Sequence, residues 1–121
     1  MNKLIIGGLT MLILDAMFIS IIAPLFASQI GAVQGSPLRM NLLAAVSSYV
    51  FLIFGWNYFI LMGNRSIKDA FLLGLVIYGT YETTSLALLR KWRLQTVIID
   101  TLWGGILFAS TTAIVYRLSA F

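Results

Sequence analysis

The chain of 121 residues contains no cysteine and no histidine. The first absence rules out a disulfide framework and a thiolate metal site. The second removes the commonest metal ligand and the usual general base near neutral pH. Charge is scarce too: 10% of residues are charged, whereas soluble domains carry roughly 25%. Acids number four against eight lysines and arginines, while 60% of the chain is hydrophobic. Such a composition cannot cover a water-soluble globule, so the surface must meet lipid. No nucleophile with its base, metal motif or phosphate-cradling loop is present, and neither enzyme activity nor a cofactor is expected. The net charge of +4 suggests nucleic acid only until the bases are located. They stand at the ends of apolar runs, where spanning helices carry them. The expected environment is the lipid bilayer, with no nucleic acid and no metal.

What is present is four apolar runs of spanning length, since about 20 residues cross a bilayer. They cover residues 3–26, 40–62, 67–90 and 94–117. The chain 1–121 therefore reads as one domain, an all-α transmembrane four-helix bundle, multi-pass in a cell, organelle or viral membrane. The first run is read as a span and not as a cleaved signal: it exceeds the usual apolar core of a signal peptide, and Asp15 interrupts it. Pro24 is expected to end or kink that span. Residues 27–38, with Ser28, Gly31, Gly35, Ser36 and Pro37, read as the longest loop. Trp56, Tyr58 and Trp92 suit an interfacial aromatic belt. Ser66 is placed to cap the third helix, with Asp69 three residues on. Four crossings put both termini on one side, side A, with Lys3, Arg65, Lys68 and Arg117. Side B carries Arg39, Arg90, Lys91 and Arg93. The tie leaves orientation open under the positive-inside rule.

Three of the four acids sit inside these runs: Asp15, Glu82 and Asp100. Counted along the helices at 1.5 Å per residue, they lie about 16, 12 and 10 Å from side B. Three acids on three helices thus share one half of the membrane, with no base at their depth. A buried carboxylate without a counter-charge must hold a proton, bind a cation or accept several hydrogen bonds. Nearby in sequence stand Tyr78, Tyr81, Thr83, Thr84, Ser85 and Trp103 as donors and candidate cavity walls. Gly105, Ala109 and Ala113 form a small-residue ridge pointing away from Asp100, of the kind that lets helices approach closely in lipid. It predicts a homo-oligomer or a membrane-protein partner.

Three blocks then carry a resemblance: Leu14-Asp15 with Phe18; Tyr78-Gly79-Thr80-Tyr81-Glu82-Thr83-Thr84-Ser85-Leu86-Ala87; and Trp92 followed by Asp100-Thr101-Leu102-Trp103-Gly104. Together they resemble the small membrane proteins catalogued as domain of unknown function 2177, found in bacteria and in some large DNA viruses. Glu82 stands where that family has Asp, and Ser85 where it has Asn, changes that keep the chemistry but alter its reach. The resemblance covers nearly the whole chain. It implies a four-helix membrane protein and no particular activity.

Two functions follow from the residues. One is a proton- or cation-coupled carrier or channel, with Asp15, Glu82 and Asp100 as the binding acids and Tyr78, Tyr81, Ser85 and Trp103 lining the cavity. The alternative is a structural or accessory subunit of a larger membrane assembly, such as a virion membrane or a multisubunit complex, in which the acids only tie helices together.

Overall fold

The computed structural model describes residues 2–119. Among them no strand forms, and four helices account for the chain: α1 (Lys3–Gln34), α2 (Leu42–Leu61), α3 (Ile67–Leu88) and α4 (Leu94–Ser119). All four are long and apolar enough to cross a bilayer. Their starts are set by side-chain caps, as the orphan N–H groups of a first turn require. Asn2 Oδ1 accepts from the N–H of Leu4 at 2.9 Å and of Ile5 at 3.3 Å. Asn41 Oδ1 accepts from Ala44 N–H at 3.1 Å. Ser66 Oγ accepts from Asp69 N–H at 3.0 Å, while the Asp69 carboxylate pairs with Arg65 at 2.9 Å. The last turn of α2, Asn57–Leu61, widens to π-helix spacing, with Met62 N–H reaching back to Asn57 O. Asn64, at φ 49°, then turns the chain into α3.

The expected long loop at 27–38 is corrected. α1 runs straight through Pro24 and stops only at Gly35, whose φ of 73° is the left-handed C-terminal cap and whose N–H donates to Gly31 O at 2.9 Å. In a bilayer no water competes for the backbone, so a helix interrupted by one proline keeps its remaining bonds. Ile30, Ala32 and Val33 also extend the apolar run that Ser28 and Gly31 were expected to break. At 32 residues α1 is about 48 Å long, well over the roughly 30 Å of bilayer hydrocarbon. Its last turns lie at side B.

Glycines set how closely the helices approach. Gly74 on α3 faces Gly104 on α4 so tightly that a Cβ on Gly74 would collide with the Gly104 carbonyl, and the Tyr78 ring covers the place of a Gly104 Cβ. Trp56, expected at the interface, is instead fully buried. Its ring lies against Gly7 of α1, and its Nε1 donates to Thr112 Oγ1 of α4 at 2.9 Å. One side chain thereby joins α1, α2 and α4, because a buried indole needs an acceptor and α4 supplies one. Met11, Trp56, Ile60, Ala70, Leu107, Phe108 and Val115 form the apolar core in the half of the bundle nearer side A. Around it the outer surface is apolar: Ile21, Leu43 and Phe51 are each more than three-quarters exposed. In water such a surface would aggregate; in lipid it is solvated.

Gly105 is also corrected. It does serve close helix packing, but inside the chain: a Cβ there would come within 2.7 Å of the Phe71 ring on α3. Ala109 and Ala113 are half-buried on the same helix.

Candidate functional site: an acid pair beside two apolar cavities

The half of the bundle toward side B holds the three buried acids. Asp15, at the middle of α1, is 6% exposed. Its Oδ1 accepts from Trp103 Nε1 of α4 at 2.8 Å, and its Oδ2 from the Tyr49 hydroxyl of α2. Trp103 is held in that pose by Phe18, one turn beyond Asp15, with ring centroids 4.5 Å apart and planes 5° from parallel. Both oxygens of Asp15 therefore have donors from two other helices.

Glu82 on α3 is fully buried. Its Oε1 accepts from Trp92 Nε1 at 2.9 Å. Trp92 was expected as an interface anchor; it is 7% exposed and faces inward. The turn between Leu88 and Leu94 brings its indole back over the end of α3. Glu82 Oε2 receives no N–H or hydroxyl from the described residues. The Asp100 carboxyl on α4 lies close enough to Glu82 for the two side chains to interact, and Asp15 lies near enough to act on Asp100 electrostatically. Asp100 is 8% exposed and also lacks an N–H or hydroxyl donor among the described residues. The three acids thus gather as a facing pair, Glu82 and Asp100, with Asp15 alongside. Among the described residues they do not close into a metal-holding group.

Two cavities share Asp100 and Tyr78 in their walls. One, of about 310 Å³, lies between α1 and the α3–α4 pair and is walled by Phe18, Ile19, Ile22, Ala23, Phe26 and their neighbours, with Asp15 and Asp100 at its polar end. The other, of about 460 Å³, lies between α2 and the same pair, walled by Ser48, Phe51, Leu52, Ile77 and Tyr81. Tyr78 separates the two, fixed by its packing on Gly104.

The structure brings together Asp15, Glu82, Asp100 and Tyr78, and sets Tyr81 in the second cavity's wall. Two expected wall residues are corrected. Ser85 lines neither cavity and donates to its own helix at Tyr81 O, 2.9 Å away. Trp103 also lines neither and serves Asp15 instead. Thr83 bonds to Gly79 O of its own helix, the usual local partner of a helical hydroxyl in an apolar setting. The acids take their donors from indoles and a tyrosine far away in sequence.

Gln29 was missed altogether. It is fully buried, and its Oε1 accepts from Arg93 N–H at 2.7 Å and from Thr96 Oγ1 at 3.0 Å, while Nε2 has no partner among the described residues. It holds the start of α4 from α1, through bonds that set the depth of Asp100 about two turns beyond Arg93. The only signal in sequence was an amide within an otherwise apolar stretch.

No curated protein and no solved structure matches the chain. A family model described as "Predicted membrane protein (DUF2177)" matches residues 2–117. The three blocks singled out in sequence are the ones that meet in space here, as Asp15 with Trp103, Glu82 with Trp92, and Glu82 with Asp100. The chain belongs to this family of predicted membrane proteins.

Proposed function

We propose that this membrane protein is a proton-coupled carrier whose exchange site is the Glu82–Asp100 pair. The observation that carries the reading is the contrast between the acids. Asp15 has both oxygens filled by helix-bridging donors and acts as a structural tie. Glu82 Oε2 has no donor among the described residues and neighbours Asp100, the member of the pair that lines both cavities. Two facing carboxyls form a stable hydrogen bond when they hold one proton between them. Emptied of it, they need a cation, because two buried like charges repel. A site with two such states is what coupling a proton to another cation requires. Tyr78, packed on Gly104, lines both cavities beside Asp100. The protein is read as non-enzymatic.

The test is proton flux in liposomes under an imposed gradient. Wild type should carry protons, and Glu82→Gln should lose the coupled flux while keeping its fold, since an amide replaces a protonated acid as a hydrogen-bond partner. Wild type without flux under any cation gradient leaves the second reading, a structural or accessory subunit. That reading is favoured by Asp15, whose bonds to Tyr49 and Trp103 tie three helices without any ligand.

A further inference from the structure

Resting on the carrier reading, we infer that the cavity between α1 and α3–α4 binds a lipophilic monocation, a protonated amine on an aromatic or branched apolar body, with Asp100 as its counter-ion. The cavity's wall has one polar end, and every charged group there is an acceptor. Asp15 and Asp100 face it, Tyr78 stands beside them, and no lysine or arginine lines it. An anionic ligand would meet two carboxylates with no base to pair with, which desolvation makes prohibitive. A neutral apolar ligand would fill the walls but leave Asp100 without a donor.

An ammonium group satisfies both. Each Asp15 oxygen already accepts one bond, from Tyr49 or Trp103, which makes it the weaker acceptor of the two. Asp100, 8% exposed and with no N–H or hydroxyl donor among the described residues, is the stronger one. Phe18 and Phe26 offer ring faces to an organic cation. A volume of about 310 Å³ is at the small end for organic-ligand sites, which run roughly 300–1,000 Å³ and are mostly apolar with few polar groups.

The exchange balances. The pair begins with one proton and one negative charge. The ammonium enters beside Asp100 with one positive charge, and the shared proton leaves to solvent. One cation replaces one proton, so the charge of the site is the same before and after.

The experiment uses the full chain in lipid nanodiscs, titrated calorimetrically with 2-naphthylmethylamine and, separately, with 2-naphthylmethanol, against empty nanodiscs. Repeating the titration in buffers of different ionisation enthalpy counts protons released. The amine is expected to bind at least tenfold more tightly than the alcohol and to release about one proton per site. Asp100→Asn should abolish that preference. Ile22→Trp, which fills the cavity without touching the acids, should block the amine and keeps the inference testable if Asp100→Asn fails to fold. Equal binding of amine and alcohol, or amine binding unaffected by both variants, overturns it. Proton flux in liposomes without amine binding retires this inference and leaves the carrier reading. Amine binding without flux does the reverse.

Discussion

Asp15 shows what a single residue needs in order to sit in a membrane. Its cost is met by two directed donors, Trp103 Nε1 and the Tyr49 hydroxyl, and removing either leaves a buried oxygen bare. A bare buried acceptor costs about 1–3 kcal/mol, more when charged. Trp103→Phe and Tyr49→Phe should each destabilise the bundle by about that amount, read as a shifted midpoint in denaturing-detergent titration. The double variant should lose less than the sum, because both act on one carboxylate. Additive losses would mean the two donors do not share it. None of these partners was legible in sequence. Tyr49 is 34 residues from Asp15 and Trp103 is 88 away, and nothing local in a chain specifies which indole faces which acid. Trp56 and Trp92 were assigned to the interface for the same reason. An indole near a helix end suits either a headgroup or a buried acceptor, and only the fold supplies Thr112 and Glu82.

At the scale of elements, the apolar runs made the four helices legible to within a few residues at most ends. α4, expected at 94–117, spans Leu94–Ser119, and α3, expected at 67–90, ends at Leu88. The exception is the far end of α1. Ser28 and Gly31 are breakers in water, but here they sit in a helix whose next turn finds a tertiary bond through Gln29. Gln29→Ala should remove the cap of α4, at about 0.5–2 kcal/mol. Hydrogen exchange should then speed up at the amides of residues 93–97 while those of the α4 centre, near Phe108, stay protected. Unchanged exchange at 93–97 would show that Gln29 does not hold that end. Close helix contact gives a second test. Gly74→Val would drive a side chain into the Gly104 carbonyl, and overpacking of a tight core costs about 1–3 kcal/mol. It should separate α3 from α4 and disturb the acid pair between them, so flux should fall together with stability.

The whole molecule divides along its axis. The half near side A is an apolar core pinned by Trp56, and the half near side B holds the three buried acids and the two cavities. That division follows from where the sequence puts its few polar residues, which is why the shared depth of Asp15, Glu82 and Asp100 was legible while their unequal roles were not. It also fixes the topology. In this cysteine-free chain, single cysteines introduced at Ser36 and Lys91 should label from one side of sealed vesicles, and one at Asn64 from the other. Labelling of all three from the same side would refute four crossings.

The carrier claim itself turns on Glu82 and Asp100. Its most direct measurement is proton flux into liposomes holding wild type, Glu82→Gln, Glu82→Asp and Trp103→Phe, each normalised to folded protein. Wild type should conduct under a cation gradient, Glu82→Gln should fall to the empty-vesicle rate, and Glu82→Asp should keep part of the flux. Trp103→Phe, which removes a donor from Asp15 and leaves Glu82 and Asp100 in place, should conduct in proportion to its folded fraction. Folded Glu82→Gln with undiminished flux would contradict the account.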